Sequence, residues 1–141
     1  MRPCFHRWHR VLGLPQQAPS WYRARLFEEL RERRLASTPL DKLSETADVL
    51  FCVSRSYYDG FPVRKVPLPS PATFVGRLLY TYMLTKYTSR FLFYRTAAGL
   101  CDITRYQAVR EVVNPGKDKK LDEVAFRHQL DPVNLSVWLA C

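Results

Sequence analysis

Glu29-x-x-Glu32, a spacer of twelve residues and then Glu45-x-x-Asp48 gather four of the thirteen acidic residues of this chain into one spaced pattern. The break at Ala36-Ser37-Thr38-Pro39 lies between the two pairs, with a strongly helical stretch on either side. Two antiparallel helices rising about 1.5 Å per residue place Glu32 level with Glu45, and Glu29 level with Asp48. Within each pair, residues three apart share one helix face. Four carboxylates on one patch repel each other unless a cation lies among them. Hard oxygen donors of this kind suit Mg²⁺ or Mn²⁺. The alternative is two solvated faces balanced by Arg31, Arg33, Arg34 and Lys42 at i,i+3 or i,i+4 spacing. Registration across the turn favours the metal.

The elements that must position these acids read as follows. Residues 1–19 form a basic arm ending in the loop Pro15-Gln16-Gln17-Ala18-Pro19, and residues 20–141 a single all-α domain. Within it, 20–60 is the acidic hairpin. Its first helix is capped by Ser20 and runs from Trp21 to about Ala36, with Tyr22, Leu26, Leu30 and the Arg33 stem buried and Glu29 at the stripe's edge. Thr38 caps the second, Pro39 takes its first position, and Asp59-Gly60 ends it. Leu43, Ala47, Leu50 and Ser54 line one side of that helix while Val49 and Cys52 make the other apolar, so it is central to its fold. Residues 61–72 are a proline-rich crossover. Residues 73–113 hold a long helix, opened by Ser70-Pro71 and running from about Ala72 to Thr96, then a shorter one from Ile103 to Val113 after a break at Gly99. Asn114-Pro115-Gly116 is a turn, and 114–141 ends in a helical pair at 119–129 and 132 onward. The expected architecture is a bundle of four to six helices, with no strand. Trp138-Leu139-Ala140-Cys141 has no polar close, as expected of a chain that continues into a further helix.

A length of 141 residues suits one core, and 47% hydrophobic with 25% charged residues is ordinary for a globular protein, with no long low-complexity tract to argue for disorder. The net charge of +9 predicts attraction to polyanions, whether nucleic acid, nucleotides or an anionic surface. Cys4, Cys52, Cys101 and Cys141 are too scattered for a zinc site and read as free thiols, Cys52 in a core. His6, His9 and His128 lack metal-ligand spacing, and no glycine-rich phosphate loop is present. Arg77, Lys86 and Arg90 interrupt the apolar run from Phe74 to Tyr94, which therefore reads as a core helix rather than a transmembrane span. The first 27 residues carry five arginines and no acid, which fits a mitochondrial presequence. Their lack of serine enrichment favours the cytoplasm.

The segments Arg25-Leu26-Phe27-Glu28-Glu29-Leu30-Arg31-Glu32 and Leu43-Ser44-Glu45-Thr46-Ala47-Asp48-Val49-Leu50-Phe51 resemble the MazG-like all-α nucleoside triphosphate pyrophosphohydrolases. The resemblance covers roughly residues 22–60 and extends more weakly to Lys86 and Arg90. Tyr87, Thr88 and Ser89 stand where that family usually has an asparagine, and the twelve-residue spacer is short for it. Residues 114–125 fall outside the resemblance; they are similar to uncharacterised fungal proteins, which carries no functional expectation. The resemblance implies that Glu29, Glu32, Glu45 and Asp48 hold Mg²⁺ on the triphosphate. It also implies that Glu28 or Glu32 orients or deprotonates the attacking water, and that Lys86 and Arg90 meet the phosphates. The products are a nucleoside monophosphate and pyrophosphate. Tyr57, Tyr58 or Phe61 either stack on the base or pack as core. A homodimer follows from the resemblance and from the doubly apolar second helix together.

The rival reading is a non-enzymatic basic helical module that binds nucleic acid or a protein. Residues 121–133 resemble a helix-turn-helix, with Lys117, Lys119, Lys120 and Arg127 nearby. Its presumed recognition helix, Val133 to Leu139, has no arginine or lysine, which favours a plain helical hairpin there.

Overall fold

Helix starts and stops in this chain are set by a few local signals, and a computed structural model shows which of them operate. It describes residues 3–63, 66–102 and 104. The described residues are all-helical: α1 (Pro3–Leu12), α2 (Pro19–Leu35), α3 (Pro39–Tyr58) and α4 (Phe74–Leu100). The helix expected at Ile103–Val113, the turn at Asn114, the helix-turn-helix-like segment and His128 lie outside the described residues.

α2 begins at Pro19 rather than after Ser20, with the extended residue Ala18 before it and no side-chain cap. Proline brings a helical φ to the first position and has no N–H to satisfy, so it starts the helix without help. α3 carries a full capping box: the Asp41 N–H donates to Thr38 Oγ1 (3.1 Å) and the Thr38 N–H to Asp41 Oδ2 (3.2 Å). It stops where Gly60 turns to φ 82°. The Phe61 N–H then donates to the Ser56 carbonyl (2.9 Å) and the Gly60 N–H to that of Tyr57 (3.4 Å), closing a Schellman motif. α4 starts two residues later than expected, because the Thr73 hydroxyl accepts the Gly76 N–H (3.1 Å) and caps it there. Gly99 does not break it.

α3 is central, as its two apolar sides require. On one side Val49 and Cys52 pack with Tyr22 and Leu26 of α2 and with Val63. On the other, Ala47 and Leu50 pack with Leu79 and Met83 of α4, bordered by Phe5 and Trp8 of α1. The second side is thus covered within the chain, so the apolar pattern of this helix supplies no argument for a dimer. α4 buries only a stripe; Phe74, Val75 and Leu78 are exposed. Among the described residues, no helix is long and apolar enough to cross a membrane. The chain divides into two compact units, residues 1–90 and 91–141. In the second, Ala98 is buried, Phe93 meets Tyr94 edge-on and the Arg95 guanidinium lies over Phe91.

The segment expected as a basic arm is structural. α1 lies on α3 with His9 and Leu12 buried, and Trp8 Nε1 donates to Thr88 Oγ1 of α4 (3.0 Å). Just beyond it, Asp59 Oδ2 accepts from both the Tyr22 hydroxyl and Arg55 Nε (2.5 Å each). Arg55 Nη2 also donates to the Leu14 carbonyl (2.6 Å), and the Gln17 N–H to the Tyr22 oxygen (2.9 Å). One carboxylate oxygen therefore ties α2, α3 and the segment between α1 and α2.

Burial, then the nearby charges of Arg55 and His6, push the His9 pKa down from 6.5 to about 4. Between those values the unfolded chain binds a proton that the folded chain refuses, so stability falls as pH drops through that window. We expect His9→Gln to lose less stability than the parent between pH 7 and pH 5, measured by urea unfolding midpoints. Equal losses would show that His9 takes up its proton equally readily in the folded and unfolded chains.

Candidate metal centre

α2 and α3 run side by side from the turn at 36–38, and that arrangement brings Glu29, Glu32 and Glu45 together. One carboxylate oxygen from each lies within 4.8 Å of the others. Glu29 is only 2% exposed, Glu45 is half-buried and Glu32 is exposed, so the cluster opens from the interior towards solvent. Glu29 is not at the edge of its stripe, as its spacing suggested, but inside it beside Tyr22 and Leu26.

The electrostatics are unbalanced. Arg25 Nη2 pairs with Glu29 Oε1 (2.5 Å), while Glu29 Oε2 is buried without a hydrogen-bond partner. Burial pushes the Glu29 carboxyl up to about 8; Arg25 opposes the shift, and the charges of Asp48, Glu32 and Glu45 add to it. Burial raises Glu45 too, with Asp48 contributing. A buried carboxylate oxygen with no partner is costly, and either a proton on the carboxyl or a cation beside it relieves that cost. Three carboxylates gathered in this way could hold a metal ion.

Asp48, expected as a fourth ligand, is otherwise engaged. Its Oδ2 accepts from Lys86 Nζ (2.6 Å) and its Oδ1 from the Tyr87 hydroxyl (2.7 Å). Lys86 Nζ also donates to Ser44 Oγ (2.8 Å). The side chains of Lys86 and Asp48 are only 8% and 12% exposed. Lys86, expected to face phosphates, is thus a buried counter-charge. Tyr87 stacks face to face on Phe51 at 3.6 Å, and burial, reinforced by Asp48, holds its hydroxyl well above the ordinary tyrosine range.

Arg90 is exposed, its guanidinium 5.6 Å from the Tyr87 ring centre. Glu28 is not a member of the cluster and pairs with Arg25 (2.6 Å), half exposed. Of the aromatics considered for base stacking, Tyr58 packs against His6 and His9, and Phe61 against Tyr22, as core. Tyr57 is exposed.

Two partners escaped the sequence reading. The Arg25–Glu29 pair was legible as an i,i+4 spacing. The Asp48–Lys86–Tyr87 contact joins residues 38 and 39 apart and had no local signal. His9 Nε2 lies 2.9 Å from Ser54 Oγ, an arrangement that invites a nucleophile reading. The Ser54 hydroxyl also lies 3.0 Å from the Phe51 carbonyl, and when it donates there His9 Nε2 is the donor to it. In that arrangement the pair is a structural joint between α1 and α3, with His9 buried. Comparison with family models, curated proteins and solved structures gave no match to this chain.

Proposed function

We propose that the hairpin binds Mg²⁺ and hydrolyses a nucleoside triphosphate to the monophosphate and pyrophosphate, in the manner of the MazG-like enzymes. The observation that carries this reading is the convergence of the Glu29, Glu32 and Glu45 carboxylates, the first of which also has a buried oxygen with no partner. Mn²⁺ would satisfy the same donors. When bound, the ion polarises the phosphoryl group and offsets charge on the leaving pyrophosphate.

The chain's own residues divide the remaining work. Glu29 and Glu45 hold the inner side of the site, with Arg25 fixing the Glu29 carboxyl. Glu32, the exposed member, is the acid placed to orient or deprotonate water entering from solvent. Glu28, paired with Arg25 outside the cluster, is the less suited of the two candidate bases. Arg90 is exposed and carries the phosphate contact that Lys86, committed to Asp48, does not. Asp48 acts at one remove, by keeping a positive charge beside the cluster. A homodimer belongs to this proposal through the resemblance alone.

The test is pyrophosphate release from a panel of nucleoside triphosphates with Mg²⁺. Glu45→Gln should lower the rate by about 100-fold, roughly 2.7 kcal/mol of transition-state stabilisation. No release from any triphosphate by a folded parent would sink the hydrolase.

A further inference from the structure

The outward face of α2 carries a second pattern, independent of the acids. At about 100° per residue, Arg23, Arg34, Phe27 and Arg31 fall within an arc of about 80°. Glu29 lies roughly opposite, facing the core. All four stripe residues are exposed, and Phe27 is 73% exposed. No ion pair among the described residues involves Arg23, Arg31 or Arg34. An exposed phenylalanine midway between two arginines is thus left with unneutralised positive charge on each side. Phe27 is about 6 Å along the axis from Arg23 and from Arg31.

We propose that this face binds single-stranded nucleic acid, its arginines on successive phosphates and Phe27 stacked on an unpaired base. The net charge of +9 supplies the long-range attraction. Arginine's planar fork suits phosphate oxygens, and stacking on an aromatic tolerates any base. The pattern separates this partner from a membrane. A helix that lies in a lipid interface keeps its apolar and cationic residues on different faces. Here they alternate along one line, so the helix cannot sink its phenylalanine without burying its arginines. Duplexes are disfavoured because their bases are already stacked.

The experiment is fluorescence anisotropy of labelled 20-mers, oligo(dT) and oligo(U), over a range of salt. Circular dichroism confirms that each variant is folded, which surface positions should permit. The parent should bind with an affinity that falls linearly in log salt. Arg31→Gln with Arg34→Gln should reduce that slope by about 1.4, since each phosphate contact on a single strand contributes about 0.7. Phe27→Ala should weaken binding about tenfold and leave the slope unchanged. Preference for the DNA or the RNA 20-mer identifies the sugar, and either supports the proposal. Unchanged affinity in Phe27→Ala overturns it. So does equal binding to duplex, or tighter binding to phosphatidylserine vesicles than to either 20-mer. Glu45→Gln should bind the oligonucleotides like the parent, and Arg23→Gln should release pyrophosphate like the parent, so the two readings fail separately.

Discussion

Gly76→Ala should destabilise the protein by about 3 kcal/mol, about 10 °C or more in Tm for a domain of this size. Gly76 is buried in the first turn of α4, and a Cβ there would stand 1.8 Å from the Ser70 carbonyl oxygen and 2.5 Å from its carbon. Both obstacles are backbone, so no rotamer change relieves the clash. The crossover would have to lift off the helix or the helix start would have to unwind. Either loses the Thr73 cap and loosens Leu79 and Met83 against Ala47 and Leu50. Gly99, also in α4, has nothing within 4 Å of the corresponding position. Gly99→Ala is therefore the control, and thermal unfolding of the two variants checks the difference. A Gly76→Ala protein as stable as the parent would mean that the crossover does not rest on α4.

The second large effect separates structure from chemistry inside the acidic hairpin. Asp48→Asn takes from the buried Lys86 ammonium the carboxylate it pairs with, which costs about 3 kcal/mol. Glu45→Gln removes one of three mutually repelling acids and should leave stability unchanged or raise it. Urea unfolding without added metal shows the contrast directly. If both variants are equally stable, Asp48 is not the structural member of the set. Adding Mg²⁺ should then raise the unfolding midpoint of the parent, because a ligand that binds only the folded state stabilises it. It should do so much less for Glu45→Gln.

These contrasts show what could be read from residues alone. The hairpin was legible because its punctuation is local. Thr38-Pro39 starts α3, Asp59-Gly60 stops it, and the acid spacing across the turn brought Glu29, Glu32 and Glu45 onto one patch. The fourth acid was placed by register only, and register is silent about a competitor. Lys86 arrives from a helix 38 residues away, and no periodicity in α4 states which of its cations turns inward. α1 was hidden for a related reason. Its arginines dominate a short segment, while the residues that dock it, Trp8 and His9, find their partners at Thr88 and Ser54. The apolar run of α4 reads as a buried core helix. Among the described residues its buried positions in the first unit centre on Leu79 and Met83, while Phe74, Val75 and Leu78 are exposed.

The node at Asp59 has a mechanical consequence. The α2–α3 pair behaves as a beam clamped at both ends, by covalent chain through Ala36, Ser37 and Thr38 at one and by Tyr22 and Arg55 on a single carboxylate at the other. Glu29, Glu32 and Glu45 sit near midspan, where neither end can open like a hinge. Their spacing is consequently a stiff dimension of the protein, and a cation entering between them meets a gap whose width it must match.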